Sequence, residues 1–195
     1  MIVEPLSPAM SESPEARAGV ADVDCTGKQA LVTGSTSGIG RAAAVALGRL
    51  GADVIVHGRD TAAGERVVED LEAVGTDARF VAADFADAAA VRGLAETVRA
   101  ETDGLDLLVN NAGGLFRDGR LTDLGVEYTF HVNHLSPYLL TTEMLDHLRP
   151  GARVVGEGVG HPVGPRLELQ GEGQFAHTGR RRRRNITRQI GRAHV

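Results

Sequence analysis

The sequence predicts an α/β fold in which helices cover both faces of a doubly wound parallel sheet. Short apolar runs alternate with amphipathic helical segments at intervals of about 25 residues, as in chains built from consecutive strand–helix units. The first two runs carry apolar residues at consecutive positions, which is typical of strands buried on both faces. A chain of 195 residues is long enough for one such domain and its core.

Five strands and four helical segments follow from local features of the sequence. The strands are the apolar runs at residues 30–32, 54–56, 78–82, 105–109 and 152–155. The helices have apolar residues at helical spacing over residues 39–50, 61–74, 88–102 and 121–148. Gly51 and Gly75 follow the ends of the first two helices, and Thr61 is the predicted N-cap of the second. Pro150 ends the long fourth region, and Pro137 predicts a kink or a register break within it.

The two ends of the chain differ in composition from the predicted domain at residues 26–156. Residues 1–25 contain Pro, Ser and acidic residues without apolar periodicity, and they are predicted to form a disordered leader. Residues 157–195 are predicted to be an irregular, Arg-rich tail, because glycines interrupt their first half and residues 180–184 are five consecutive arginines. The net charge of −5 therefore combines an acidic body with a basic end.

Composition also excludes several classes of protein. The single cysteine, Cys25, excludes an intrachain disulfide framework and a zinc site built from cysteines, and no metal site is predicted. No stretch approaches the ~20 apolar residues of a membrane span. The first residues lack the basic start and the apolar segment of a secretory signal. The predicted location is therefore the cytoplasm.

A glycine-rich turn, TGSTSGIG at residues 33–40, lies between the first predicted strand and the first predicted helix. Glycines let the backbone approach a pyrophosphate closely, and the N-terminus of the following helix offers free N–H groups and a positive dipole end. The alternative is a turn that only packs the helix on the strand. Its position favours dinucleotide binding, with candidate residues Gly34, Ser35, Ser37, Gly38, Ile39 and Gly40.

The glycine spacing, together with Asn-Asn-Ala-Gly at residues 110–113, resembles the short-chain dehydrogenase/reductase family in its retinol-dehydrogenase-like branch. Three further matches occur in the family's order, at residues 26–28, 84–85 and 132–135. The resemblance implies a Rossmann-type dinucleotide-binding domain with strand order 3-2-1-4-5. It also implies hydride transfer between a nicotinamide cofactor and a small-molecule carbonyl or alcohol substrate. Residues that it adds to the candidate site are Asp84, Phe85, Asn111, Ala112 and Gly113 for the cofactor and Asn133 for catalysis.

The end of the second predicted strand bears on the choice between NAD and NADP. An acidic residue there binds the ribose 2′-OH of NAD, whereas an arginine accommodates the 2′-phosphate of NADP. Gly58 stands where NAD-preferring members of the family have the acid, and Arg59 follows it. Asp60 is interpreted as the cap of the next helix. The sequence therefore favours NADP over NAD.

The resemblance fails at the catalytic motif. Members of the family use a Tyr-x-x-x-Lys pair, in which the lysine lowers a tyrosine pKa of about 10, and a serine that orients the substrate oxygen. The only lysine is Lys28, and neither Tyr128 nor Tyr138 has a lysine four residues on. No serine follows Ser136. Only Asn133 matches a catalytic position.

Three interpretations of the missing motif stay open. The chain is a reductase truncated or disrupted after the fifth strand, a catalytically silent nucleotide-binding or regulatory protein, or a protein whose basic tail has its own partner. His161 and His177 are candidate substitute acids, although histidines in Gly-rich loops are usually solvated. Nucleic-acid binding by residues 180–184 is not favoured, because no aromatic residue interleaves the arginines. A homo-oligomer formed through the long helical region is also left open.

Overall fold

The computed structural model describes residues 13–156, 167–170 and 174–175. Within these residues, one sheet has the strand order β3-β2-β1-β4-β5-β6-β7. The first five strands are parallel, and the last two pair antiparallel. The predicted parallel α/β fold with the order 3-2-1-4-5 is confirmed. The strands are β1 (Gln29–Val32), β2 (Asp53–Gly58), β3 (Ala78–Ala82), β4 (Leu105–Asn110), β5 (Leu148–Gly156), β6 (Leu167–Gln170) and β7 (Gln174–Phe175).

Helices connect the strands and cover the sheet. They are α1 (Pro14–Arg17), α2 (Gly38–Arg49), α3 (Thr61–Glu72), α4 (Ala88–Glu101), α5 (Tyr128–Phe130), a π-helical segment (His131–Leu135), α6 (Ser136–Met144) and a 3-10 turn (Leu145–His147). None of these helices is both long and apolar enough to cross a membrane.

Each face of the sheet has its own apolar core. Leu31 and Ile55 belong to the core that contains residues of α4 and α6. Val32 and Val54 belong to the other core, with residues of α2 and α3. Neighbouring positions on one strand thus enter opposite cores, because successive side chains point to opposite faces. This explains why β1 and β2 have continuous apolar runs in the sequence.

The N-cap of α3 lies one residue before the predicted one. Thr61 is the first helical residue, not the N-cap, and the cap is Asp60. The Asp60 carboxylate accepts a hydrogen bond from the N–H of Ala63 at 3.0 Å. The interpretation of Asp60 as a helix cap is therefore confirmed.

The fourth helical region begins later than predicted. Residues 121–127 form a tight turn with a bridge between Leu121 and Glu127, and Gly125 has a φ of +70°. The carboxylate of Glu127 accepts hydrogen bonds from the N–H groups of Thr129 and Phe130 and so starts the helix at residue 128. The register break predicted at Pro137 occurs as the π-helical segment just before it.

The fifth strand begins before Pro150, whereas the sequence predicted it from residue 152. β5 starts at Leu148 opposite Leu105, and its register with β4 shifts before Arg153 pairs with Leu107. A bulge therefore takes up Pro150 and Gly151, the latter with a φ of +83°. A proline is compatible with a strand at such a bulge.

The predicted leader overlaps the described part of the chain at residues 13–25. There α1 forms a single turn, and its Glu15 is buried and pairs with Arg49 at 3.4 Å. The disorder expected for residues 1–25 stays a prediction, and residues 1–12 lie outside the described residues. Most of the predicted tail at residues 157–195 also lies outside the described residues, and its irregular structure stays a prediction.

Candidate functional site

A cleft runs along the carboxyl ends of the parallel strands, where the loops after β1, β2, β3 and β4 meet. The connections from β1 to β2 and from β2 to β3 build the sheet on one side of β1, and the connection from β3 crosses back to place β4 on its other side, which makes this the switch point of the sheet. The cleft contains two cavities, of about 200 Å³ and about 490 Å³. Their shared wall consists of Gly34, Ser37, Ala112 and Gly113.

The smaller cavity lies beside the ends of β2 and β3. Its polar lining includes Thr36, Arg59 and Asp84. Its apolar side includes Phe85, which is 3% exposed, and Tyr128. A pocket with an aromatic wall and a cation at its rim suits a planar ring attached to an anionic group. The predicted residues Arg59, Asp84 and Phe85 are thus brought together.

The larger cavity lies at the start of α2. Gly38, Ile39 and Gly40 line it from the first turn of the helix. The N-cap residue Ser37 makes no side-chain hydrogen bond, and the first turn carries no acidic residue. The first N–H groups of α2 therefore lack a side-chain cap, and the positive end of the helix dipole faces the cavity without a compensating charge. This arrangement suits a phosphate.

Gly34 is the residue at which the glycine turn crosses the loop after β4. Its φ is +64°, and a Cβ built on it would lie 2.8 Å from the Cα of Ala112. The side-chain amide of Asn111 donates to the carbonyl oxygens of Thr33 at 2.8 Å and Gly34 at 3.1 Å. The Thr33 hydroxyl accepts from the N–H groups of Asn111 and Ala112, both at 3.0 Å. Asn111 thus holds the shape of the turn.

Ser35 occupies a different place from the one predicted. It is fully buried and is absent from the lining of both cavities. Its hydroxyl donates to the carbonyl oxygen of Val32 at 2.7 Å and accepts from the N–H of His57 at 3.0 Å. Ser35 therefore links the glycine turn to β1 and β2 inside the protein.

His57, at the end of β2, lines the smaller cavity and was not among the predicted site residues. It is 2% exposed. Burial lowers its pKa from 6.5 to about 4, against the opposing effects of the Ala83 carbonyl and the Asp84 charge. A polar residue that closes a run of buried apolar strand residues is the sequence signal that could have found it.

The buried imidazole predicts a loss of stability in mild acid. The unfolded chain protonates His57 below pH 6.5, whereas the folded chain does so only near pH 4. The free energy of unfolding should therefore fall by about 3 kcal/mol as the pH drops between these values. Denaturant unfolding at pH 7, 6, 5 and 4.5 measures this decrease. In a His57→Asn variant, the free energy of unfolding should depend less steeply on pH. An equal pH dependence in both proteins would show that the decrease does not come from His57.

Asn133 lies in the π-helical segment and lines the larger cavity. Its Oδ1 accepts from the N–H of Gly114 at 2.8 Å, and its Nδ2 donates to the carbonyl oxygen of Gly114 at 2.8 Å. Both ends of the amide are thus bonded to one backbone unit. The structure places Asn133 beside the cleft, in a position where it shapes the loop after β4.

The remaining candidates for proton transfer lie apart from the larger cavity. Lys28 precedes β1, at the opposite edge of the sheet, and its Nζ lies 3.1 Å from Asp106. Tyr138 is 67% exposed, and the ring of Tyr128 is covered by Arg120 at 3.7 Å. Within the described residues, the larger cavity has no titratable side chain in its lining. His161 and His177 lie outside the described residues.

Comparison with known proteins gives the family and the extent of the match. Residues 28–157 match the sequence profile described as short chain dehydrogenase. Polyprenol dehydrogenase of Mus musculus is 43% identical over 140 residues, which are 68% of this chain and 42% of that protein. Retinol dehydrogenase 11 of Mus musculus is 38% identical over 159 residues, 77% of this chain and 50% of that protein. The chain spans about half the length of the curated relatives it matches.

Solved structures give the same result. A short chain dehydrogenase from Burkholderia cenocepacia in complex with NADP matches with a TM-score of 0.59 and 38% identity, over 67% of this chain and 55% of the other. A 3-oxoacyl (acyl-carrier-protein) reductase from Agrobacterium tumefaciens with NADP bound matches with a TM-score of 0.61 and 32% identity, over 70% of this chain and 55% of the other. With the sheet order, the glycine turn and the cleft, these matches show that the chain belongs to the short-chain dehydrogenase family.

Proposed function

We propose that this chain binds NADP(H) in the cleft and is the cofactor-binding part of an oxidoreductase that acts on carbonyl or alcohol substrates. The observation that carries the proposal is the pair of joined cavities at the switch point, one open to the N–H groups of α2 and the other walled by Phe85 and Arg59. Relatives named carbonyl reductase, polyprenol dehydrogenase and retinol dehydrogenase support the substrate class.

Each of the two cavities would hold a different part of the cofactor. The pyrophosphate would lie in the larger cavity against Gly38, Ile39 and Gly40, where N–H groups can donate to its oxygens. The adenosine would occupy the smaller cavity beside Asp84 and Phe85. The close approach at Gly34 supports this placement, because any side chain there would collide with the loop after β4.

The end of β2 favours the 2′-phosphate over a free 2′-hydroxyl. A Cβ on Gly58 would lie 2.5 Å from the Cγ2 of Thr36, so an acidic side chain at this position would require the Thr36 side chain to move. Asp60 is used as the cap of α3. Arg59 is exposed and lines the smaller cavity. A guanidinium there can bind a phosphate through two parallel hydrogen bonds.

The experiment is a titration of the protein with NADPH and with NADH. NADPH should bind about tenfold more tightly or better, since a charge-assisted hydrogen bond contributes roughly 1.5–3 kcal/mol. Arg59→Ala should reduce the difference in affinity between the two cofactors, because it should weaken the binding of NADPH and leave that of NADH unchanged. The matched control is Arg92→Ala, since this exposed arginine pairs with Glu143 away from the cleft. Equal affinities for the two cofactors in the unmodified protein would refute the preference.

We further propose that the chain does not transfer hydride by itself. NADPH, when bound, supplies the hydride, but the substrate oxygen also needs a proton donor. Lys28 is held by Asp106 at the far edge of the sheet, and both amide ends of Asn133 are bonded to Gly114. Binding without turnover is therefore the function that these residues support.

A further inference from the structure

His57 contacts both walls of the smaller cavity. On one side, the backbone N–H of Gly34 donates to its Nδ1 at 3.2 Å. On the other, its Nε2 lies 3.2 Å from the carbonyl oxygen of Ala83. Its ring also packs against Phe85, with 4.7 Å between the centroids. One buried side chain thus spans the distance between the glycine turn and the end of β3.

The two partners determine which tautomer is present. A backbone N–H can only donate, so the Nδ1 that faces Gly34 is unprotonated and accepts. A carbonyl oxygen can only accept, so the Nε2 that faces Ala83 carries the proton and donates. His57 is therefore a neutral imidazole with the hydrogen on Nε2. This form alone satisfies both backbone groups.

Gly34 is held from two sides by side chains of flanking strands. His57, from β2, accepts from its N–H, and Asn111, which follows β4, donates to its carbonyl oxygen. The backbone of His57 adds a second link, because its carbonyl oxygen accepts from the N–H of Ser35 at 2.9 Å. The imidazole therefore fixes the orientation of the peptide group that begins the turn.

We infer that His57 is a positioning residue for the cofactor, which sets the distance between the glycine turn and the β3 wall of the adenosine pocket. The inference rests on the proposed function, because the pocket is assigned to NADP(H). An apolar side chain of similar size would fill the same volume but would leave the Gly34 N–H and the Ala83 carbonyl buried without partners. The turn would then relax, and the pocket would lose its shape.

Three variants separate positioning from packing. His57→Leu fills the space without hydrogen bonds, whereas His57→Asn keeps an acceptor near the position of Nδ1 for the Gly34 N–H. The matched control is His131→Leu. His131 is also 2% exposed, and its Nδ1 bonds to the hydroxyl of Thr122 outside both cavities.

The measurement is NADPH affinity at neutral pH, with thermal unfolding as the check on folding. His57→Leu should bind NADPH about tenfold more weakly than the unmodified chain, and His57→Asn should recover most of this loss. His131→Leu should lower the unfolding temperature and leave the affinity unchanged. Unchanged affinity in His57→Leu, or equal weakening in His57→Asn, would overturn the inference. Absence of NADPH binding by the unmodified chain would instead overturn the proposed function, and this inference with it.

A second measurement covers the case in which both His57 variants fail to fold. In the unmodified protein, NMR of the imidazole nitrogens should show Nδ1 unprotonated and coupled to the amide nitrogen of Gly34 across the hydrogen bond. Addition of NADPH should preserve this coupling and slow hydrogen exchange at the Gly34 amide. A proton on Nδ1, or a coupling that disappears when NADPH binds, would overturn the inference.

Discussion

Replacing Gly34 with alanine should weaken NADPH binding by ~100-fold or more. A Cβ at this position meets the Cα of Ala112 at 2.8 Å, so the glycine turn must move away from the loop after β4. The movement also disturbs the hydrogen bond from Asn111 to the Gly34 carbonyl oxygen. Misalignment of two N–H groups that face the phosphates is enough for this effect, at about 1.5–3 kcal/mol for each charge-assisted hydrogen bond. Calorimetric titration with NADPH measures the change.

The matched control for this variant is Gly75→Ala. Gly75 also has a positive φ, +86°, but a Cβ there meets nothing within 4 Å, and it follows the end of α3 away from the cleft. Both variants should lose about 1–2 kcal/mol of stability from the left-handed backbone. Only Gly34→Ala should lose affinity. If the folded Gly34→Ala protein bound NADPH as tightly as the unmodified chain, the glycine turn would not be part of the cofactor site.

We expect no hydride transfer by this chain when NADPH is bound, which is the second large effect. A positioned general acid contributes typically ~10²–10⁴-fold to such a reaction. The larger cavity has no titratable side chain among its described lining residues. The only lysine, Lys28, is paired with Asp106 at the opposite edge of the sheet, so no lysine lies beside a tyrosine in the cleft.

The test is NADPH consumption with a panel of aldehydes, ketones and quinones, followed by the absorbance of the reduced nicotinamide. The rate should equal that of NADPH in buffer, for the unmodified chain and for Asn133→Ala alike. Turnover that persists through purification and disappears in His161→Ala or His177→Ala would contradict this prediction. It would also identify the histidine that acts as the substitute acid.

The centre of the fold could be predicted from the sequence because β1 and β2 are buried on both faces. Leu31 and Val32 enter opposite cores, so the apolar run is continuous and easy to recognise. The errors occurred where tertiary contacts override local patterns. The bulge that accommodates Pro150 depends on pairing with β4, and the late start of the fourth helical region depends on a turn closed between Leu121 and Glu127.

The candidate site was predictable where glycines or a charged residue mark it, as at Gly34 and Arg59. Ser35 lies within the turn, which is why the sequence includes it in the site, but its hydroxyl is buried and bonded to the Val32 carbonyl oxygen. His57 is marked in the sequence only as a polar residue that closes the apolar run of β2, because a single histidine has no characteristic spacing. Its role depends on the Gly34 N–H and the Ala83 carbonyl, which only the folded chain brings to opposite sides of one ring.

Cofactor binding in the cleft is tested most directly by a map of backbone amide chemical shifts with and without NADPH. We expect large changes at the glycine turn, residues 34–40, and at the ends of β2 and β3, residues 57–59 and 83–85. We also expect little change at the opposite edge of the sheet, at Lys28 and Asp106. Changes confined to that opposite edge, or none at saturating NADPH, would show that the cleft is not a cofactor site.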